Sequence, residues 1–250
     1  MHLHLEMKRI VPNASTAVLL IHGIVGTPNH FRKLIPLEES VPENWSFWNL
    51  CLPGHGSTVE AFSHSSMKQW KAYVWGAFRE LAAEHEKVIL VGQSMGTLFA
   101  LQLASQYPDQ VRDLFLLAVP MRPHIGFVIV NSSLRLVFGK IREDHPMETS
   151  IVSACGSQPT RRLWRYIPWL PRFAELLVEI YNTEKILSDI QIPYRIFQSR
   201  KDELVSNRSE KILIKHGLDF AALPDSGHFY YAPEDKRRIL ESFTDMKKQA

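Results

Sequence analysis

The stretch KVILVGQSMGTLFALQLA, residues 87–104, decides the fold. Its first six residues, KVILVG, are a short run saturated with Val, Ile and Leu, as in a strand buried on both faces. From Met95 onward, MGTLFALQLASQYP (95–108) reads as a buried helix ending near Pro108. Between them a serine is held between two glycines, Gly92-Gln93-Ser94-Met95-Gly96. A turn this tight needs close backbone approach, which Gly92 and Gly96 permit, and it leaves Ser94 projecting from the strand end. A buried strand feeding directly into a helix is the repeating unit of an open α/β sheet.

The same alternation extends on both sides. AVLLIH (17–22), SFWNLCL (46–52) and DLFLLAV (113–119) read as further buried strands. SSMKQWKAYVWGAFRELAAEH (65–85) sets Trp70, Tyr73, Val74, Ala77, Phe78 and Leu81 at helical spacing. Over residues 122–190 the rhythm breaks: Pro and Gly recur, and RRLWRYIPWLPRF (161–173) is dense in aromatics and arginine. This segment is expected to be a helical cap or lid inserted over the sheet. The alternation then resumes with YRIFQS (194–199), a helix near 206–216, the strand-like LDFAALP (218–224) and a last helix opened by Pro233. A chain of 250 residues with 45% hydrophobic content buries a full core. The expectation is one α/β domain over residues 1–250, with a mostly parallel central sheet flanked by helices and the cap at 122–190 within it.

Several classes are disfavoured. The formal charge is +3 with no basic arm, so nucleic acid is not an indicated partner. The two cysteines, Cys51 and Cys155, form neither a CxxC pair nor a metal-ligand spacing, and read as reduced thiols of a cytoplasmic protein. The N-terminal MHLHLEMKRIVPNAS has no long apolar core behind a basic start, and no run of about eighteen apolar residues occurs. Neither export nor a transmembrane segment is indicated.

A serine hydroxyl is a weak nucleophile near neutral pH and needs a base within hydrogen-bond reach, itself oriented by an acid. Asp202 follows the strand YRIFQS in SRKDELV, and His228 lies in DSGHFYY, in the loop after the next strand. Ser, then Asp, then His is the chain order of one class of triad on an α/β sheet. Glu203 and Asp225 are rivals for the acid. Among eleven histidines, His22 and His55 lie in glycine-flanked segments and fit loop-stabilising hydrogen bonds better than base duty. Main-chain amides are the usual donors to a developing oxyanion. Met95, at the start of its helix, supplies one candidate, and Ile24 in HGIVGTP (22–28) the other.

On four segments the chain resembles bacterial carboxylesterases and monoacylglycerol lipases of the α/β-hydrolase fold: LLIHGIVGTPNHFRKL (19–34), LPGHGST (52–58), VGQSMGTLFALQLA (91–104), and SRKDELVS (199–206) with DSGHFYY (225–231). The resemblance implies a Ser94, Asp202, His228 triad, an oxyanion hole from Ile24 and Met95, a cap over the site, and no cofactor or metal. It also implies small-molecule carboxylic esters as substrates, acylglycerols among them. Two positions depart from the pattern: Ile24 stands where relatives often carry an aromatic residue, and Gln93 where Leu or His is common. For the aromatic, arginine-rich stretch (Arg161, Arg162, Trp164, Arg165, Tyr166, Trp169, Arg172, Phe173) two readings compete: a lid meeting lipid or an acidic partner, and the plainer one, rings packed on the domain below with arginines reaching solvent. The run GFVIV (126–130) reads as an acyl-pocket wall or an anchor for the cap.

Overall fold

Every apolar run read as a strand pairs into one sheet. The computed structural model describes residues 4–124, 126–154 and 158–248. Among these, the strands are β1 (Met7–Arg9), β2 (Thr16–Ile21), β3 (Ser46–Asn49), β4 (Lys87–Gln93), β5 (Val111–Leu117), β6 (Tyr194–Ser199) and β7 (Ala221–Leu223). Their order is β1-β3-β2-β4-β5-β6-β7; β1 runs antiparallel to β3 and all other pairings are parallel. This is the fold class expected from the sequence. β2, β4 and β5 are buried along almost their whole length, which is why they read as continuous apolar runs.

The helices are α1 (Val59–Ser63), α2 (Met67–Glu84), α3 (Met95–Gln106), α4 (Phe127–Phe138), α5 (Pro146–Ala154), α6 (Leu170–Glu184), α7 (Arg208–Lys215) and α8 (Pro233–Lys248). Alternate strand residues face opposite ways. Leu19, Ile21, Leu90, Leu114 and Leu116 meet α2, α3 and α7 through Trp70, Val74, Phe78, Phe99 and Leu213. Val18, Leu20, Val91, Phe115 and Leu117 meet α8 and a short π-helical turn, His30–Leu34, through Phe31, Ile239 and Phe243.

Several boundaries differ from expectation. β1 carries no apolar alternation; it is held by Arg9, whose guanidinium donates to the main-chain oxygens of Val41, Pro42 and Trp45. The run 113–119 pairs over Val111–Leu117 and stops where Ala118 takes φ +57°. The runs 46–52 and 218–224 pair only over Ser46–Asn49 and Ala221–Leu223.

The strand order places the site. The chain passes from β2 outward to β3, then crosses back to β4 on the other side of β2. Loops leaving β2 and β4 therefore diverge, and in open α/β sheets that divergence opens a crevice at the carboxyl ends of the strands. Between β5 and β6 lie α4, α5, a 3-10 stretch Leu163–Trp169 and α6. Trp169 donates to the main-chain oxygen of Val59 at 3.0 Å and packs on Phe62, while Trp164 is 64% exposed. Packing onto the domain below thus holds for Trp169 and fails for Trp164. Arg165 pairs with Glu60 at 2.5 Å, and Arg172 binds the main-chain oxygen of Ser65 and Glu175. Cys155 lies outside the described residues, as do the side chains of Phe127 and Val128 in GFVIV.

The elbow leaves no room at its glycines. A Cβ on Gly96 would lie 2.0 Å from the carbonyl oxygen of Ile21, and one on Gly92 would lie 2.7 Å from the backbone of Thr97. Gly76, inside α2, has nothing within 4 Å of the same construction. Gly96→Ala is accordingly expected to cost about 3 kcal/mol or more of unfolding free energy. Gly76→Ala should instead stabilise by about 0.5–1 kcal/mol. Urea unfolding of the two variants reads both signs.

Candidate active site

Ser94 follows the last residue of β4 and precedes α3, with φ +50° and ψ −121°. Few non-glycine residues occupy that region, and its cost of about 1–3 kcal/mol persists only where surrounding structure over-determines it. Here the main-chain N–H of Ser94 donates to Leu117 on β5 at 2.9 Å, and the N–H and hydroxyl of Thr97 both donate to the Ser94 carbonyl, at 2.9 and 2.6 Å. The strained turn aims the Ser94 side chain at a 730 Å³ cavity whose walls include Ile24, Val25, Ile129, Leu134 and Phe229.

The loop after β2 comes against this turn. A Cβ on Gly23 would meet the Ser94 Cβ at 2.9 Å, so only glycine lets the loop approach. His22 braces the loop. Its Nδ1–H donates to the Gly23 carbonyl at 2.8 Å and its Nε2 accepts the N–H of Leu52 at 3.1 Å, so the ring is neutral with both nitrogens used. Burial pushes its pKa down to about 4. His55 is likewise buried against Phe62 and Trp70, with Nδ1 on the Pro53 carbonyl. Among the described residues the main-chain N–H groups of Ile24 and Met95 have no acceptor, and Met95 sits at the positive end of α3.

Asp202 and His228 come together from loops after β6 and β7. Nδ1 of His228 lies 2.9 and 3.0 Å from the two carboxylate oxygens of Asp202. Asp202 Oδ1 also accepts the main-chain N–H groups of Leu204 and Val205, at 2.8 and 2.7 Å, which fixes the carboxylate. The loop is tied from outside: His124 and Gly126 donate main-chain hydrogen bonds to Leu204 and Glu203, both at 2.9 Å. The rival carboxylates go elsewhere. Glu203 accepts the main-chain N–H of His228 at 2.8 Å, and Asp225 pairs with Lys201 at the surface. Burial works against protonation of the His228 ring, but the charge and hydrogen bond of Asp202, with Glu203 behind, hold its pKa above the ordinary imidazole value.

The remaining nitrogen, Nε2 of His228, faces the side-chain amide of Gln93 at 3.1 Å. Among the described residues no hydrogen bond joins the Ser94 hydroxyl to His228. The structure thus brings Ser94, Gly23, Ile24 and Met95 to one rim and the Asp202–His228 pair beside it, with Gln93 between. The sequence contained one signal for Gln93, a polar residue ending an otherwise apolar buried strand. Ile129 and Val130 of GFVIV are among the cavity walls, as one reading of that run had it; most other walls come from segments far apart in the chain.

The family described as the alpha/beta hydrolase fold matches residues 16–164. A thermostable monoacylglycerol lipase from Bacillus sp. (strain H-257) is 33% identical over 100 residues, covering 39% of this chain and 38% of that protein. A pimeloyl-[acyl-carrier protein] methyl ester esterase from Neisseria meningitidis serogroup B / serotype 15 (strain H44/76) is 32% identical over 113 residues, covering 44% of this chain and 39% of that protein. The chain therefore spans about two-fifths of the length of the curated relatives it matches. In structure it is similar to a chain described under LipS and LipT, two metagenome-derived lipolytic enzymes, with a TM-score of 0.68 at 19% identity, covering 98% of this chain and 97% of that one. No helix among the described residues is long and apolar enough to cross a membrane.

His22, His30 and His55 are all held neutral by burial, with pKa values below the ordinary value. Below pH 6.5 the unfolded chain takes up protons that the folded one refuses, so stability present above pH 6.5 is lost as pH falls. From its pKa of about 4, His22 alone accounts for about 3 kcal/mol of that loss. The urea midpoint is expected to fall between pH 6.5 and 4.5; a flat midpoint over that window would contradict neutral burial of these rings.

Proposed function

The chain belongs to the alpha/beta hydrolase fold family, and from that premise we propose that it is a carboxylic ester hydrolase of the carboxylesterase or monoacylglycerol lipase type. The observation that carries this reading is the strained Ser94 at φ +50°, facing a 730 Å³ apolar cavity beside the buried Asp202–His228 pair. Lipase and methyl ester esterase relatives support the bond type.

In this reading the Ser94 oxygen attacks the ester carbonyl carbon while His228 Nε2 takes the hydroxyl proton. Asp202 stabilises the imidazolium through Nδ1–H. The carbonyl oxygen, now negative, accepts hydrogen bonds from the N–H groups of Ile24 and Met95. Collapse breaks the carbon–oxygen bond to the leaving group, which takes the proton from His228 and departs as the alcohol. A water molecule, deprotonated by the same nitrogen, then attacks the acyl carbon; the bond to the Ser94 oxygen breaks, that oxygen takes the proton back from His228, and the acid is released. The chain acts as one domain, with residues 122–190 as a cap whose Ile129 and Leu134 wall the acyl side of the cavity. Cys51 is a free thiol whose pKa burial pushes up to about 11, so it stays protonated and unreactive near neutral pH.

Three outcomes test the reading. Ser94→Ala is expected to lower ester turnover roughly 10⁴-fold or more and to abolish fluorophosphonate labelling while the protein stays folded by circular dichroism. Retained turnover would remove Ser94 from the mechanism. The acid limb of kcat/KM should have its midpoint above about pH 6.5, because Asp202 keeps the His228 ring protonated beyond its ordinary range. Across nitrophenyl esters, kcat/KM should rise about fourfold per added methylene until the cavity is filled. Stronger turnover of matched thioesters would replace the ester assignment.

A further inference from the structure

Gln93 is the last residue of β4, only 1% exposed, and its side chain spans the two halves of the site. Its Oε1 accepts the main-chain N–H of Gly23 at 3.1 Å. A backbone N–H only donates, so this bond fixes which end of the amide is oxygen. The NH₂ end therefore faces His228 Nε2, at 3.1 Å. Because an amide NH₂ has no lone pair to offer, Nε2 must be the acceptor and the ring proton must sit on Nδ1, toward Asp202. Gly23 is part of the same device: a Cβ there would come within 2.6 Å of Gln93 Oε1.

The lone pair that Gln93 engages is the one that receives the Ser94 proton in the reading above. We propose that Gln93 is a positioning residue that holds His228 as the neutral Nδ1–H tautomer, its basic lone pair occupied by the Gln93 amide until the ring turns to Ser94. This rests on the Ser94–His228–Asp202 assignment. A protonated ring at the Gln93 position would set two donors against each other, so Gln93 opposes imidazolium there and the charged ring is stable only after turning away. The charged and titratable groups around the ring are few. Asp202 and Glu203 favour the charged form. Buried His30 stays neutral, hydrogen-bonded to the Tyr231 hydroxyl at 3.0 Å. Tyr231 is itself held neutral by burial.

The test is a ¹⁵N-histidine NMR titration of His228 beside the pH profile of fluorophosphonate labelling. It compares the wild type with Ser94→Ala, Gln93→Leu, Gln93→Glu and His228→Ala, the Ser94→Ala protein entering only the titration and the His228→Ala protein only the labelling. Ser94→Ala is expected to leave the His228 tautomer and pKa at their wild-type values, since Gln93 and not Ser94 holds Nε2. Gln93→Leu should raise the His228 pKa by about 0.5–1 unit, and the acid limb of labelling should move up with it. Gln93→Glu keeps size and an acceptor for Gly23 but exchanges the donor for a carboxylate, so the shift should exceed that of Gln93→Leu and labelling at pH 7 should fall. An unchanged His228 pKa in both Gln93 variants, or a shift in Ser94→Ala matching that in Gln93→Leu, would overturn the proposal. If the Gln93 variants shift the pKa as expected but His228→Ala still labels at the wild-type rate, the Gln93–His228 contact stands and the triad assignment fails.

Discussion

The main chain of α3 enters the sheet against β2 so closely that one added carbon at Gly96 would sit 2.0 Å from the Ile21 carbonyl oxygen. Ser94 is strained because the chain must turn from β4 into α3 within this clearance, and the strain is held by bonds to Leu117 and Thr97. The loop after β2 can lie beside that turn only because residue 23 is also glycine. The N–H groups of Ile24 and Met95, which come from opposite sides of the seam, share a rim for the same reason. Loosening the seam would separate the groups that the chemistry needs together.

Burial at this rim treats its histidines in two ways. His22, His30 and His55 are neutral props, their pKa values pushed down because a charged ring would lose its hydration with nothing to replace it. His228 is equally enclosed, at 2% exposed, yet its pKa is raised, because Asp202 and Glu203 supply the missing compensation. One residue type thus serves as scaffold and as candidate base, and what separates the roles is whether a carboxylate lies against the ring. Gln93 adds a neutral restraint on the same ring, coupling its tautomer to the loop that carries Ile24.

The segment between β5 and β6 contributes walls and a clamp. Its first residues bond to the backbone of Glu203 and Leu204, next to the carboxylate that faces His228. Ile129 and Leu134 turn the crevice above Ser94 into an apolar cavity. Trp169 anchors the segment to α1 through Val59, while Trp164 stays in solvent.

Local pattern was enough for β2 to β7, for α2, α3, α7 and α8, and for the fold class, because burial on both faces of a parallel sheet writes itself as unbroken apolar runs, and a glycine-flanked serine between strand and helix permits few backbones. It was enough also to single out Ser94, Asp202, His228, Ile24 and Met95 as candidates, since their order follows the order of the strands. What only the tertiary structure decided are relations across the chain. Asp202 rather than Glu203 or Asp225 faces the ring, 26 residues away in sequence. His228 Nε2 meets Gln93, 135 residues away, in place of the neighbouring serine. Trp169 is partly buried against the core and Trp164 is exposed, and β1 pairs with β3 while Arg9 beside it reaches three distant carbonyls. Each is set by a contact between segments whose separation no period or propensity encodes, and it comes into being only when the sheet brings those segments to one rim.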